Sequence, residues 1–403
     1  MKKIALILPE EYPVPAVKGG AIEELVTILI EQNEIERKAE LLVFSTQNAE
    51  AEEIAKSYRY TKIVYFSKPT LKDRLINRAL RYINPFIKGK TLIDIAYYRK
   101  IYKYLLEHPV DAIVAEGGLY HELRRFSETF GKEKLYLHIH HHLLCEPYID
   151  DIYGNIIGIS EFVTREWMRT TKDKGIREHT VYNCVNEDKF NKKITSEERE
   201  IIRKKFGFSK EDTVVLYCGR ILQVKGVREL VQAIIQIEDP HIKLMIIGSA
   251  ICGGNEQTPY VDEVQKLIEK AGERIKFTGY IPNKELYQYY QSADIQVIPS
   301  LWEEAAGLIA IEGMLSGLPL IVTKSGGLTE YATKDVAIWV EREKIVDNLV
   351  KEITNLARDK DRQEQMRVRS SERVKAFPKS RFYRDFVEVF EHEGISENKG
   401  IID

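Results

Sequence analysis

Short apolar runs alternate with longer amphipathic ones along this chain, and the whole pattern occurs twice. Lys3–Leu8, Glu40–Phe44, Ala112–Ala115, Leu135–Ile139 and Ile156–Ile159 predict the buried strands of a first set. Val214–Cys218, Lys243–Ile247, Ile275–Phe277, Ile295–Ile298, Leu320–Val322 and Ala337–Val340 predict a second. Helical spacing fills intervals such as Ala21–Gln32, Gly226–Ile237, Tyr260–Ala271 and Lys284–Ser292. Strands apolar on both faces need cover on both faces, and intervening helices supply it. The expected class is therefore α/β, with two Rossmann-like, doubly wound parallel sheets that bind ligands at the carboxyl ends of their strands. A chain of 403 residues is also long for one core.

The junction is expected within Val185–Phe190, giving a first domain over 1–185 and a second over 186–379. The charged stretch Lys192–Lys205 reads as an exposed first helix of the second domain. Phe382, Tyr383, Phe386 and Phe390 recur at helical spacing, so the segment 380–403 is expected to pack back on the first domain.

A net charge of −2 argues against a bulk nucleic-acid binder. Cys145, Cys184, Cys218 and Cys252 are dispersed, which suits buried thiols in a reducing compartment rather than a disulfide framework or zinc site. The start Met1-Lys-Lys-Ile-Ala-Leu-Ile-Leu-Pro9 has too short an apolar stretch for a signal peptide and reads as a first strand. No run of about 18 apolar residues spans a bilayer. A cytoplasmic protein is expected. Between Lys68 and Tyr104, however, ten basic residues face only Asp73 and Asp94, with Tyr82, Phe86, Tyr97, Tyr98, Tyr102 and Tyr104 interleaved. Such a patch suits an anionic membrane surface; a helical face with buried tyrosines is the alternative.

The chemistry concentrates in Ser300 to Val322. Glu304 lies in a loop after a strand, and Glu312 lies in the short apolar helix that follows Gly307. Two carboxylates so spaced accept hydroxyl hydrogen bonds from two ends of one polar ligand, such as a nucleotide sugar. Arg220 and Lys225 follow a strand of the same domain and offer fixed positive charge. Gly19 and Gly20 sit between the first strand and a helix, where backbone amides can approach phosphate. Ala305, Ala306, Gly307 and Leu308 form a similar cradle. In His138-Ile-His-His-His142, alternation puts His138 and His140 on one face, and no carboxylate or cysteine stands at ligand spacing before Cys145 and Glu146, so no metal is expected. Asp359-Lys-Asp361 has the letters of a metal-binding Asp-x-Asp but lies in a charged helical stretch.

Taken in order, several pieces resemble one known family. They are Pro13-Val-Pro-Ala-Val-Lys-Gly-Gly-Ala-Ile22, Gly158-Ile-Ser-Glu161, Val181-Tyr-Asn-Cys-Val-Asn186, Tyr217-Cys-Gly-Arg-Ile221 with Lys225-Gly226, and Ile247-Gly-Ser249. Phe277-Thr-Gly-Tyr280, Ala293-Asp294, Pro299-Ser300, the Glu304/Glu312 pair and Gly326-Gly-Leu-Thr-Glu330 complete them. This series resembles the retaining glycosyltransferases of GT-B type, family 4 (group 1), and within them the spore-coat-protein SA branch. Cys184 and Asn186 depart from the family's Asn-Gly-Val-Asp.

The resemblance implies two domains facing each other across a cleft. It implies a nucleoside-diphosphate sugar donor, most often UDP-linked, and a saccharide or lipid-linked acceptor in cell-surface polysaccharide or glycoconjugate synthesis. Glu312 would hold the ribose, Glu304 the transferred sugar, Arg220 and Lys225 the diphosphate, and His140 (or His138) the donor sugar by hydrogen bonding. No metal or other cofactor is implied, and the place of action would be cytoplasmic, peripheral at the inner membrane face. A GT-B nucleotide-sugar epimerase and a non-catalytic coat or scaffold protein remain as alternatives.

Overall fold

The computed structural model describes residues 1–86, 92–190, 192–250 and 257–391. The chain forms two compact units, Met1–Tyr182 with Lys379–Asp403, and Asn183–Pro378. The division after Tyr182 falls three residues before the one expected from sequence, and residues 392–403 of the terminal segment lie outside the described residues.

The first unit is built on a parallel sheet of β1 (Lys2–Ile7), β2 (Ala39–Thr46), β3 (Thr61–Phe66), β4 (Ala112–Ala115), β5 (Leu135–Ile139), β6 (Asn155–Gly158) and β7 (Arg177–Thr180), in the order β3-β2-β1-β4-β5-β6-β7. Ile4 pairs with Leu41 on one side and Ala112 on the other, so β1 is central, and its Ile4 to Ile7 are wholly buried. Two strands here carry little sequence signal. β3 alternates only weakly around Lys62, and β7 reads Arg-Glu-His-Thr, because each is an edge strand with half its surface outside the core. The terminal helix Lys379–Glu388 buries Phe382, Tyr383 and Phe386. Tyr383 OH donates to Asn33 Oδ1 at 2.6 Å and accepts from Lys38 N at 3.0 Å, which fastens this helix to the first unit.

The second unit repeats the plan with β8 (Thr213–Cys218), β9 (Ile242–Ile247), β10 (Ile275–Gly279), β11 (Ile295–Ile298), β12 (Leu320–Thr323) and β13 (Ala337–Val340), all parallel, in the order β10-β9-β8-β11-β12-β13. Helices Val227–Gln236 and Ile345–Arg358 cover one face through Leu230, Ile234, Leu349 and Ile353. Phe190, Phe208, Leu286 and Tyr290 cover the other. The helix Ser196–Lys205 is less exposed than its charge suggests. Arg203 is buried and donates to Asp294 Oδ2 at 3.0 Å, while Arg199 reaches Asp294 Oδ1 at 2.7 Å. Asp294 also accepts from Val214 N at 2.7 Å, tying this helix to the starts of β8 and β11. Cys184 is buried, and among the described residues the non-glycine positions at positive φ are Arg37 and Lys344; the loop that usually carries glycine there takes cysteine without left-handed backbone. Cys145, Cys184 and Cys218 are buried and form no disulfide, and Cys252 lies outside the described residues.

The basic stretch divides in two. Helix Leu71–Ile83, opened by a Thr70/Asp73 capping box, buries none of its residues. Leu71, Leu75, Tyr82 and Phe86 are each at least 70% exposed. In helix Ala96–Glu107 the tyrosines turn inward: Tyr97 OH donates to Phe44 O at 2.9 Å, and Tyr98 OH accepts from Leu119 N at 2.9 Å. Lys88 and Lys90 lie outside the described residues. Among the described residues no helix is long and apolar enough to cross a membrane.

Candidate functional site

The candidate residues fall into two groups, one in each unit. In the second unit the winding reverses between β8 and β11, where an open α/β sheet leaves a crevice beyond its carboxyl ends. Arg220 and Lys225 lie in the loop after β8, and Pro299 to Gly307 follow β11. Leu301 N donates to Val224 O at 2.8 Å and joins the two loops. Gly226 permits that approach: its φ is +69°, and a Cβ there would lie 2.0 Å from Pro299 O.

Lys225 is thereby carried to Glu304, with Nζ 2.6 Å from Oε1 and 2.9 Å from Oε2. The two side chains are only 16% and 12% exposed, and Nζ also stands 4.8 Å from the centroid of Trp302. Ser300 Oγ donates to the same carboxylate. Glu304 N donates to Ser325 Oγ at 3.0 Å and Gly327 N to Glu304 O at 2.7 Å, so the loop after β12 pins its main chain. Neighbouring Glu303 turns away to Arg342. Arg220 is exposed at the crevice, its carbonyl accepting from Tyr217 OH at 2.7 Å.

Ala305 and Ala306, both half-buried, lead to Gly307 and the helix Leu308–Leu315, whose N-terminus has no side-chain cap. Its first-turn amides face the loop and favour an anion. Gln296 Nε2 donates to Ile309 O at 3.0 Å and fixes this helix on β11. Glu312, one turn in, accepts from Tyr290 OH at 2.8 Å. Burial pushes the Tyr290 hydroxyl well above its ordinary range, so it stays a donor. Burial also pushes the Cys218 thiol up to about 12, and the nearby Glu312 charge adds to this. Sequence reasoning missed Tyr290 and Ser325. Nothing in their local pattern shows that they reach across to the glutamates.

In the first unit, Gly19 and Gly20 have φ of 78° and 101° and open helix Ala21–Glu36. Glu23 is buried, with its carboxylate so close that a Cβ on Gly20 would meet Oε2 at 2.0 Å. Burial raises the Glu23 carboxyl. This helix end is thus already served by a carboxylate of its own. At the end of β5, His138 Nδ1 and His140 Nε2 each stand 2.8 Å from Glu116 Oε2. Glu116 lies 22 and 24 positions upstream, on the neighbouring strand's end, so local spacing gave no sign of a carboxylate beside these histidines. Among the described residues these three offer ligand-type atoms within 4.8 Å of one another. His141 and His142 are exposed in the following loop.

Together the second unit's group brings Arg220 and Lys225, a helix N-terminus without a side-chain cap and two hydrogen-bonded carboxylates to the carboxyl end of the sheet. It can hold an anion and orient hydroxyls.

Residues 198–373 match the family model described as glycosyl transferases group 1. Spore coat protein SA of Bacillus subtilis is 26% identical over 352 residues, covering 81% of this chain and 82% of its own length. The lipopolysaccharide 1,2-N-acetylglucosaminetransferase of Salmonella typhimurium is 25% identical over 243 residues, covering 59% of this chain and 62% of its own. Among solved structures, Anabaena HepE in complex with UDP and glucose has the same fold, with a TM-score of 0.72 at 18% identity, covering 97% of this chain and all of its own.

Proposed function

Starting from a chain that is a glycosyltransferase, its residues 198–373 belonging to group 1 and its paired Rossmann-like sheets to the GT-B type, we propose that it transfers a sugar from UDP to a saccharide or lipid-linked acceptor with retention of configuration. The observation that carries this is the Lys225–Glu304 pair at the switch point, beside an uncapped helix that presents Glu312. In this reading Lys225, Arg220 and the amides of Ala305 to Leu308 hold the diphosphate. Glu312 accepts from the ribose hydroxyls, with Tyr290 holding it in place. Glu304 accepts from the transferred sugar and faces the positive charge that builds on it. The bond from the anomeric carbon to the phosphate oxygen breaks, and the acceptor oxygen bonds to the same face. The acceptor's proton passes to the departing phosphate oxygen. Lys225 and Arg220 supply the charge stabilisation that a divalent cation supplies elsewhere, so turnover is expected to survive chelation. A UDP donor is favoured because the similarly folded HepE structure holds UDP and glucose.

The test is thermal stabilisation by UDP-, GDP-, dTDP- and ADP-sugars, beside Glu312→Ala. A rise in melting temperature with UDP-sugars that is weakened in the variant is expected. No rise with any donor would count against the reading. Donor turnover without any acceptor would turn it toward an epimerase.

The same reading places the acceptor at an anionic membrane surface reached through helix Leu71–Ile83. This helix exposes Leu71, Leu75 and Tyr82 beside Lys72, Arg74, Arg78 and Arg81. Vesicles containing anionic phosphatidylglycerol should sediment the protein, salt should release it, and Arg74→Glu with Arg78→Glu should abolish binding. Equal binding to neutral vesicles would refute it.

A further inference from the structure

Trp302 stands in the loop after β11 with 38% of its surface exposed. Its stretch of backbone is nonetheless fixed at several points. Leu301 N donates to Val224 O at 2.8 Å, and Trp302 O accepts from Ser325 Oγ at 2.6 Å. Glu304 N donates to the same Ser325 hydroxyl at 3.0 Å, and Ser325 is buried. Val224 and Leu301 directly precede Lys225 and Trp302, so the first bond brings those two residues together. Lys225 Nζ stands 4.8 Å from the centroid of the Trp302 ring. Indole attracts a cation over its face more strongly than the other aromatic side chains do, out to about 6 Å from the centroid.

The ammonium also faces the Glu304 carboxylate, at 2.6 and 2.9 Å. Its two partners differ in what can replace them. A carboxylate competes with an incoming phosphate for the same N–H groups. The ring takes the charge over its face and consumes no donor, so its contact survives while the carboxylate's is exchanged. A lysine ammonium rides on a flexible four-carbon stem and drifts from a site unless something holds it there. We infer that Trp302 is a positioning residue for diphosphate capture: its ring keeps the Lys225 ammonium in the crevice while Glu304 yields its hold to the phosphate. This rests on the transfer reading above and acts wholly within the second unit.

The competing use of an exposed ring at this place is direct stacking on the base of the nucleotide. The lysine already over the ring favours the positioning role. Inorganic pyrophosphate, which has no base, and uridine, which has no phosphate, separate the two.

Titration calorimetry of the full chain with pyrophosphate, UDP and uridine tests the inference. Trp302→Leu should weaken pyrophosphate and UDP alike, about fivefold each, and leave uridine unchanged. Trp302→Phe keeps a weaker ring and should fall between wild type and Leu; it also serves if the Leu variant does not fold. In a Lys225→Ala background, where the remaining contacts hold UDP weakly, Trp302→Leu should cost less than about twofold, because the ring acts through the lysine. Proton spectra read the contact without any ligand. The Lys225 Hε resonances, assigned through Lys225→Ala, should be shifted upfield by the ring in the wild type and return to ordinary values in Trp302→Leu. Equal losses for uridine and UDP, additive losses in the Lys225→Ala background, or ordinary Lys225 shifts in the wild type would each overturn the proposal. Shifted Lys225 resonances in a protein that binds neither pyrophosphate nor UDP would overturn the transfer reading and the diphosphate role with it, and leave the Lys225–Trp302 contact standing.

Discussion

Lys225 and Glu304 neutralise each other across 2.6 Å, so in the proposed reaction a diphosphate would share or displace a partner that the lysine already has. Glu304→Gln removes that competitor. Nucleoside diphosphate should bind as well as before or a few-fold more tightly, while transfer falls by about 100-fold or more because the charge facing the reacting sugar is gone. Lys225→Ala should lose both. Titration calorimetry beside initial rates checks this, and a parallel loss of binding and transfer in Glu304→Gln would contradict it. Buried titrating groups set the pH response. Burial pushes His140 and His179 from their ordinary 6.5 down to about 4, and the neighbouring imidazoles hold Glu116 below its ordinary 4.5 at about 2. Between pH 6.5 and 4 the unfolded chain therefore binds protons that the folded one does not, so stability is full above that window and drains as pH falls through it. Calorimetry at neutral pH and through the acid window should show the melting temperature dropping on acidification; a flat profile would count against these assignments. At this scale the sequence exposed Glu304, Glu312, Arg220, Lys225 and His140 as residue types in a pattern. It could not expose Glu116, Tyr290 or Ser325, because each meets its partner only after separate strands and helices have packed.

Single backbone positions decide where whole elements sit. At Gly226 a methyl group would stand 2.0 Å from the Pro299 carbonyl oxygen on a backbone already at φ +69°. Gly226→Ala should cost roughly 2 kcal/mol or more through strain and displacement. It should also weaken nucleotide binding, because the turn Gln223–Lys225 directly precedes it. Denaturant titration with nucleotide affinity measures both, and an unchanged affinity would show that the turn does not depend on the close approach. Elements with strong internal patterning were readable from sequence. β8 and β12, buried on every residue, are two of them. The edge strands β3 and β7 were not, since a strand with one neighbour need not be apolar. The stretch Lys68–Tyr104 shows the same limit: composition gave one basic aromatic patch, while packing made an exposed helix of one half and core tyrosines of the other.

For the molecule as a whole, the terminal helix Lys379–Glu388 returns to the first unit after the chain has built the second. Tyr383→Phe leaves the Lys38 amide and Asn33 Oδ1 each without this hydroxyl. It should destabilise the first unit by about 1–3 kcal/mol and leave nucleotide-induced stabilisation of the second unit intact. Hydrogen exchange that loosens around Asn33 but not around β8 is the expected signature; uniform loosening would mean that the two units unfold as one. The strand–helix alternation by itself determined two doubly wound sheets, because burying both faces of apolar strands leaves few other solutions. It also singled out the loops after β8 and β11 as candidate ligand loops, since ligand loops follow the carboxyl ends of strands. Only the tertiary structure decided who meets whom: Lys225 with Glu304, Tyr290 with Glu312, Glu116 with two histidines. Those partners come from segments far apart in the chain, and a hydrogen bond depends on distances of a few tenths of an ångström that no residue pattern records.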